Sequence, residues 1–128
     1  MKVLLDTHVV LWYLTANPKL PNSTKNVIDD LENVCYVSVV SLWEIAIKHS
    51  LGKLDLMTSL EIFLDIIKDA GIETLPINES HILKSASLEF HHQDPFDRMI
   101  IAQALVEDYT IVTKDQYFKE YKPKLICD

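Results

Sequence analysis

The chain predicts an α/β protein, a mostly parallel sheet with helices on both of its faces. Three observations carry this. Strand-like and helix-like segments alternate from end to end, as they do when each parallel strand is followed by a crossover helix. The leading strand candidate, residues 2–6, is a continuous apolar run rather than an alternating one, as expected of a strand covered on both faces. At 128 residues, with no internal repeat and no low-complexity stretch, the chain has the length of a single domain, residues 1–128, with a core of useful size.

The elements follow in order. Residues 2–6 form the first strand and end in Asp6, where Asp6 or Thr7 caps a helix through Leu14. Asn17-Pro18 to Pro21-Asn22 is a loop, and Ser23 caps a helix to about Glu32. Residues 34–38 are the second strand. Ser41 then starts a helix through His49, with Glu44 completing a Ser-x-x-Glu capping box; Gly52 ends it. Thr58 and Glu61 form a second box ahead of Leu60, Phe63, Leu64 and Ile67, an apolar face at helical spacing closed by Gly71. Residues 72–75 are a short strand, and Asn78 caps a helix to about Leu88. Asp94-Pro95 supplies an N-cap followed by proline at the first helical position, opening a helix from Phe96 to Glu107. Residues 110–113 are a strand, 116–120 a short helix, and 125–127 an edge strand.

Composition bounds the function. Nearly half the residues are hydrophobic, which excludes a disordered chain. No apolar run reaches the ~18 residues of a membrane span, and the N-terminus turns acidic before a signal peptide could form. Cys35 and Cys127 fit neither a disulfide framework nor a metal spacing. Read as buried free thiols, they suit a reducing cytoplasm. The net charge of −7 opposes binding of nucleic acid through the overall field. It leaves room for an enzyme whose acids are masked by metal and whose basic residues cluster locally. Lys48, Lys53, Lys114, Lys119, Lys122, Lys124 and the only arginine, Arg98, mostly lie near the acids in sequence. A scatter of solvated lysines is the alternative.

The chemistry rests on Asp6, Glu44, Asp97 and Asp115. Asp6 ends the first strand, Asp115 lies just past the run Ile111-Val112-Thr113, and Glu44 and Asp97 fall in the first turns of two apolar helices. Such chain ends converge on one edge of a parallel sheet, where α/β proteins place ligands. Four carboxylates there repel one another unless a divalent cation joins them. Mg²⁺ and Mn²⁺ prefer oxygen ligands and keep several waters. For a phosphodiester, such an ion activates water, holds the phosphate and stabilises the leaving oxygen. A nucleophile elbow and a P-loop are both unavailable to a chain with two glycines. Each acid also has an ordinary role open to it: Asp6 and Asp115 as helix caps, Glu44 in its capping box, Asp97 beside the helix dipole. What favours chemistry is that all four fall at one edge.

The segments Leu4-Leu5-Asp6-Thr7-His8, Val37 to Lys48 with Trp43-Glu44, Asp94-Pro95-Phe96-Asp97-Arg98 to Ala104, and Thr113-Lys114-Asp115 together resemble the PIN-domain family. The resemblance covers essentially the whole chain and looks closest to the VapC-type toxins of bacterial toxin–antitoxin pairs. It implies a three-layer α/β/α sandwich and a Mg²⁺- or Mn²⁺-dependent ribonuclease that cuts RNA, is inhibited by a small antitoxin and forms a homodimer. The family's acidic quartet falls on Asp6, Glu44, Asp97 and Asp115, and its hydroxyl position on Thr113. Asp6 and Asp97 are the first choices for metal contact, with Asp115 direct or one water away and Glu44 orienting the attacking water. Asp94 is an additional acid, read as an N-cap ahead of a ligand. Two readings from other classes stand beside this: a PIN-fold protein that binds a partner or RNA with little hydrolysis, and a small-molecule phosphatase, for which a phosphate cradle is wanting.

Arg98 suits a phosphate contact or a salt bridge to a site carboxylate. His8 is expected to pack near the start of its helix, and His91 and His92 to lie on a surface loop. Trp12, Tyr13 and Trp43 are expected in the core or in a partner groove rather than stacked on bases. Ile45, Ile47, Leu51, Leu54, Leu56 and Phe63 enrich the same region in apolar helix faces, enough for a groove that receives an amphipathic antitoxin segment.

Overall fold

A computed structural model of the chain describes residues 1–91, 93–121 and 123–127. Five strands form one sheet: β1 (Lys2–Leu5), β2 (Val34–Ser38), β3 (Glu73–Leu75), β4 (Thr110–Thr113) and β5 (Leu125–Cys127). Their order is β3-β2-β1-β4-β5, and every pair is parallel. The helices are α1 (Thr7–Leu14), α2 (Asn22–Asp29), α3 (Val39–Ser50), α4 (Leu60–Asp69), α5 (Glu79–Ser87) and α6 (Pro95–Glu107), with a 3₁₀ helix at Gln116–Tyr121.

The strand order decides the layers. From β1 the chain steps outward through β2 to β3, then crosses back over to β4 and on to β5. Crossovers between parallel strands are right-handed, so reversing the direction moves the connecting helices to the other face. The cores agree. Val3, Leu5, Val37 and Val112 point into one cluster with Val9, Val10, Ile28, Phe63 and Ile67 of α1, α2 and α4. Leu4 and Ile111 point the other way, onto Ile100, Ile101 and Ala104 of α6 and onto Phe118. This is the expected three-layer α/β/α sandwich, with α5 packed on α6. His81 of α5 is fully buried. Its Nδ1 accepts the Asn78 amide at 3.2 Å, so Nε2 holds the ring proton and donates to Glu107 at 2.9 Å.

The strand assignments hold closely; several helix starts do not. The α3 helix begins at Val39, not Ser41, because Ser38 ends β2 and at once caps the helix, its hydroxyl accepting the Val40 amide at 3.1 Å. The α4 cap is Ser59 rather than Thr58. The α2 helix opens after Pro21 with no side-chain cap and ends at Asp29. Spacing alone cannot choose between neighbouring capping residues, since the choice depends on where the preceding strand or loop stops. Asp6, Asn78 and Asp94 cap as read, and Gly52 and Gly71 take positive φ at the ends of α3 and α4. Among the described residues no helix is long and apolar enough to cross a membrane.

Candidate active site

The carboxyl edge of the sheet reverses direction between β1 and β4, the point where open parallel sheets form a crevice. Asp6 stands there. Its backbone amide extends the ladder to the Val112 carbonyl at 2.9 Å. Its Oδ1 accepts the Thr7 amide at 2.7 Å, capping α1, and its Oδ2 accepts the Thr113 hydroxyl at 2.7 Å. Thr113 Oγ1 in turn accepts the Asp115 amide at 3.0 Å. One hydroxyl thus fixes the end of β1 to the turn after β4. Asp6 is buried, and burial pushes its carboxyl above the usual range. The Thr113 hydrogen bond opposes that rise, and the nearby Glu44 charge adds to it.

Glu44 arrives from α3. The corrected helix start puts it in the second turn, so it is no capping-box residue. Val40 of α3 packs in one core cluster and Ile45 in the other, so this helix straddles the sheet edge. Glu44 is buried on its α1 side. The Thr7 hydroxyl lies 2.9 Å from Glu44 Oε1 and 2.8 Å from the Ser41 hydroxyl. Since a carboxylate only accepts, Thr7 gives its proton to Glu44 and receives one from Ser41. The other oxygen, Oε2, accepts from Lys48 Nζ at 2.8 Å. That contact, with Asp94 and Asp97 nearby, holds the Lys48 ammonium above its ordinary range.

Asp97 lies in the first turn of α6 beneath the Asp94 cap, whose Oδ1 accepts the Phe96 and Asp97 amides at 2.8 and 3.2 Å. Asp115 Oδ1 accepts the Tyr117 amide at 2.9 Å and so shapes the turn after β4. Thr113 bonds both the Asp6 carboxyl and the Asp115 backbone amide, and Thr7 bonds Asp6 through its amide and Glu44 through its hydroxyl; Asp97 is near enough for its charge to act on the Lys48 ammonium. Among the described residues no group of three His, Cys, Asp or Glu side chains stands placed to hold an ion. The donor set still suits Mg²⁺ or Mn²⁺, which take one or two carboxylates and complete their shell with water and phosphate. The elevated, buried Asp6 carboxyl beside Glu44 is the kind of group a cation would relieve.

Arg98 has a structural role. It is buried, and its guanidinium donates to the carbonyls of Ser85, Leu88 and Glu89 at 2.9–3.0 Å and packs over the Phe90 ring. It closes the C-terminal end of α5 against α6. His8 is exposed against Trp12, with ring centroids 5.8 Å apart, and His91 pairs with Glu89 on the surface; His92 and Lys122 lie outside the described residues. Trp43 is not a core residue: it is 62% exposed and rests edge-on against Phe96. Ile45, Leu56 and Phe63 are buried, the first two also forming the floor of a cleft. This cleft, of about 350 Å³, lies between α1 and the end of α3, lined further by Leu11, Trp12, Lys48, Lys53 and Leu54 and opening beside Thr7. Sequence reasoning did not single out Thr7, Ser41 or Lys48 as site residues. The available signal was spacing: Ser41 and Lys48 stand three before and four after Glu44, on its helix face.

The PIN domain family model matches residues 3–123. Ribonuclease VapC22 of Mycobacterium tuberculosis is 25% identical over 121 residues, covering 94% of this chain and 92% of the relative. Among solved structures, VapBC2 from Rickettsia felis, bound to a DNA fragment from its promoter, superposes with a TM-score of 0.72 at 20% identity, covering 100% of this chain and 98% of that one. VapBC-5 from Mycobacterium tuberculosis, a member of the VapBC family of toxin–antitoxin systems, gives a TM-score of 0.64 at 19% identity, covering 98% and 96%.

Proposed function

The chain belongs to the PIN-domain family, and on that premise we propose that it is an endoribonuclease that hydrolyses RNA phosphodiesters, the toxin of a toxin–antitoxin pair, dependent on Mg²⁺ or Mn²⁺. The observation that carries this reading is the pair of buried acids at the sheet's switch point, Asp6 bonded to Thr113 and Glu44 held by Thr7 and Lys48. Asp6 and Asp97, with Asp115, would hold such an ion, which would supply electrostatic activation of the attacking water and charge stabilisation on the leaving oxygen. The protein's own side chains do the rest. Glu44 accepts the proton of the attacking water and orients it. Thr7 and Thr113 fix the two buried carboxylates so that neither swings away. Lys48 offsets charge against an anionic substrate that the net charge of −7 would otherwise repel.

The partner is a small antitoxin protein. The related VapBC structures support this, and the cleft between α1 and α3 offers apolar walls beside the acids. An amphipathic segment seated there would bring a basic side chain within reach of Asp6 and Glu44. Amide exchange on a complex with the product of a neighbouring small gene would test it. Protection is expected over residues 40–64, and protection confined to the opposite face would refute the groove. The chain is read as a cytoplasmic homodimer. The central test is cleavage of RNA by the purified protein with and without EDTA. Cleavage lost on chelation and restored by Mn²⁺ is expected; cleavage indifferent to EDTA would overturn the metal, and no cleavage under any metal would overturn the nuclease.

A further inference from the structure

Lys48 does not belong to the acidic quartet, yet its ammonium touches one of its members directly. Its ammonium lies 2.8 Å from Glu44 Oε2, while Thr7 occupies Oε1. Both carboxylate oxygens are therefore held, which fixes rotation about the terminal bond. Asp94 and Asp97 add to the negative field on the same ammonium. The spacing is i, i+4 within α3, with Glu N-terminal to Lys, the favoured orientation of such a pair. Glu44 is buried, but the Lys48 side chain remains 42% exposed, so its long stem leads to solvent and the ammonium can withdraw without disturbing the core.

Resting on the nuclease reading above, we infer that Lys48 is a built-in counter-ion for this edge: a positioning residue that fixes Glu44 for catalysis and whose charge opposes the divalent cation at the neighbouring acids. The two effects oppose each other. A positive charge among the acids disfavours a second cation, so removing it tightens metal binding. The same removal frees Glu44 Oε2 and loosens the group that orients water, so turnover falls. A residue that only supports the fold would weaken both together. A residue that only binds substrate phosphate would raise KM and leave kcat intact.

The test uses the full chain and the variants Lys48→Met and Lys48→Arg. The metal arm follows the melting midpoint against Mn²⁺ concentration, beginning in EDTA, which also reports whether each variant folds. The kinetic arm measures kcat and KM on a mixed-sequence single-stranded RNA at saturating Mn²⁺. In Lys48→Met the Mn²⁺ midpoint is expected to fall about tenfold, the low end of what a nearby like charge does to a titrating group. Its kcat is expected to fall roughly 10²-fold, the effect of a misplaced catalytic group. Lys48→Arg keeps the charge and is expected to restore the midpoint. A midpoint unchanged or raised in Lys48→Met would overturn the opposition of charges, and an unchanged kcat with a raised KM would overturn the positioning role. If the wild type binds Mn²⁺ but cleaves no RNA, the nuclease reading fails, and the midpoints alone then decide whether Lys48 is the counter-ion.

Discussion

Thr113→Val isolates the bond on which the site geometry depends. The substitution preserves shape and removes one hydroxyl, which donates to Asp6 Oδ2 at 2.7 Å and accepts the Asp115 amide at 3.0 Å. Thr113 is 1% exposed, so no water takes its place at Asp6. A hydrogen bond to a charged group contributes about 1.5–3 kcal/mol. Losing it should cost about 2–3 kcal/mol in metal-free protein at neutral pH, or about 6–15 °C in Tm for a chain of this length. The loss depends on pH. Burial already raises the Asp6 carboxyl above its ordinary value and the Thr113 bond restrains that rise, so the variant raises it further. A raised carboxyl leaves stability intact below the unfolded value and removes it as pH climbs through the folded value. The deficit of the variant should therefore be small in acid, near the ~1 kcal/mol of a neutral hydrogen bond, and grow toward neutral pH. Urea melts in EDTA across that range measure it. A deficit that does not vary with pH, or one below about 0.5 kcal/mol at neutral pH, would refute the coupling of Thr113 to an ionised Asp6.

Asp6→Asn and Asp97→Asn should each lower RNA cleavage by orders of magnitude. Asp6→Asn should keep its stability in EDTA, because asparagine caps a helix as well as aspartate does and sheds a buried charge; full activity in either variant would remove that acid from the mechanism. Saturating Mn²⁺ should raise the wild-type Tm, by an amount equivalent to about 2.7 kcal/mol at a hundredfold excess over Kd, and raise it less in Asp97→Asn, as read by thermal melts. Arg98→Met should destabilise the fold by about 3 kcal/mol, since three partly buried carbonyls at the end of α5 lose a charged donor. Its kcat/KM well below the melting temperature should stay near wild type, and a fall of orders of magnitude would return Arg98 to the substrate.

The sequence by itself determined the sheet, its strands and the place of Asp6 and Asp115 at strand ends. Parallel strands buried on both faces are written as apolar runs, so Val3-Leu4-Leu5 and Ile111-Val112 were legible without any partner in view. Asp6 and Asp115 were legible for the same reason, since each follows such a run. Helix starts were less legible, because Ser38 and Ser41, or Thr58 and Ser59, are chemically equivalent caps. Only the end of β2 selects Ser38, and that shift turns Glu44 from a cap into a buried group. The role of Arg98 was illegible because it bonds backbone carbonyls in and just after α5, which any sequence supplies. Thr7 and Ser41 gain their roles only when α1 meets α3 beside β1. Local pattern fixes which face a side chain lies on; the tertiary structure decides which groups from distant elements stand within 3 Å of one another, and hydrogen bonds act only at that range.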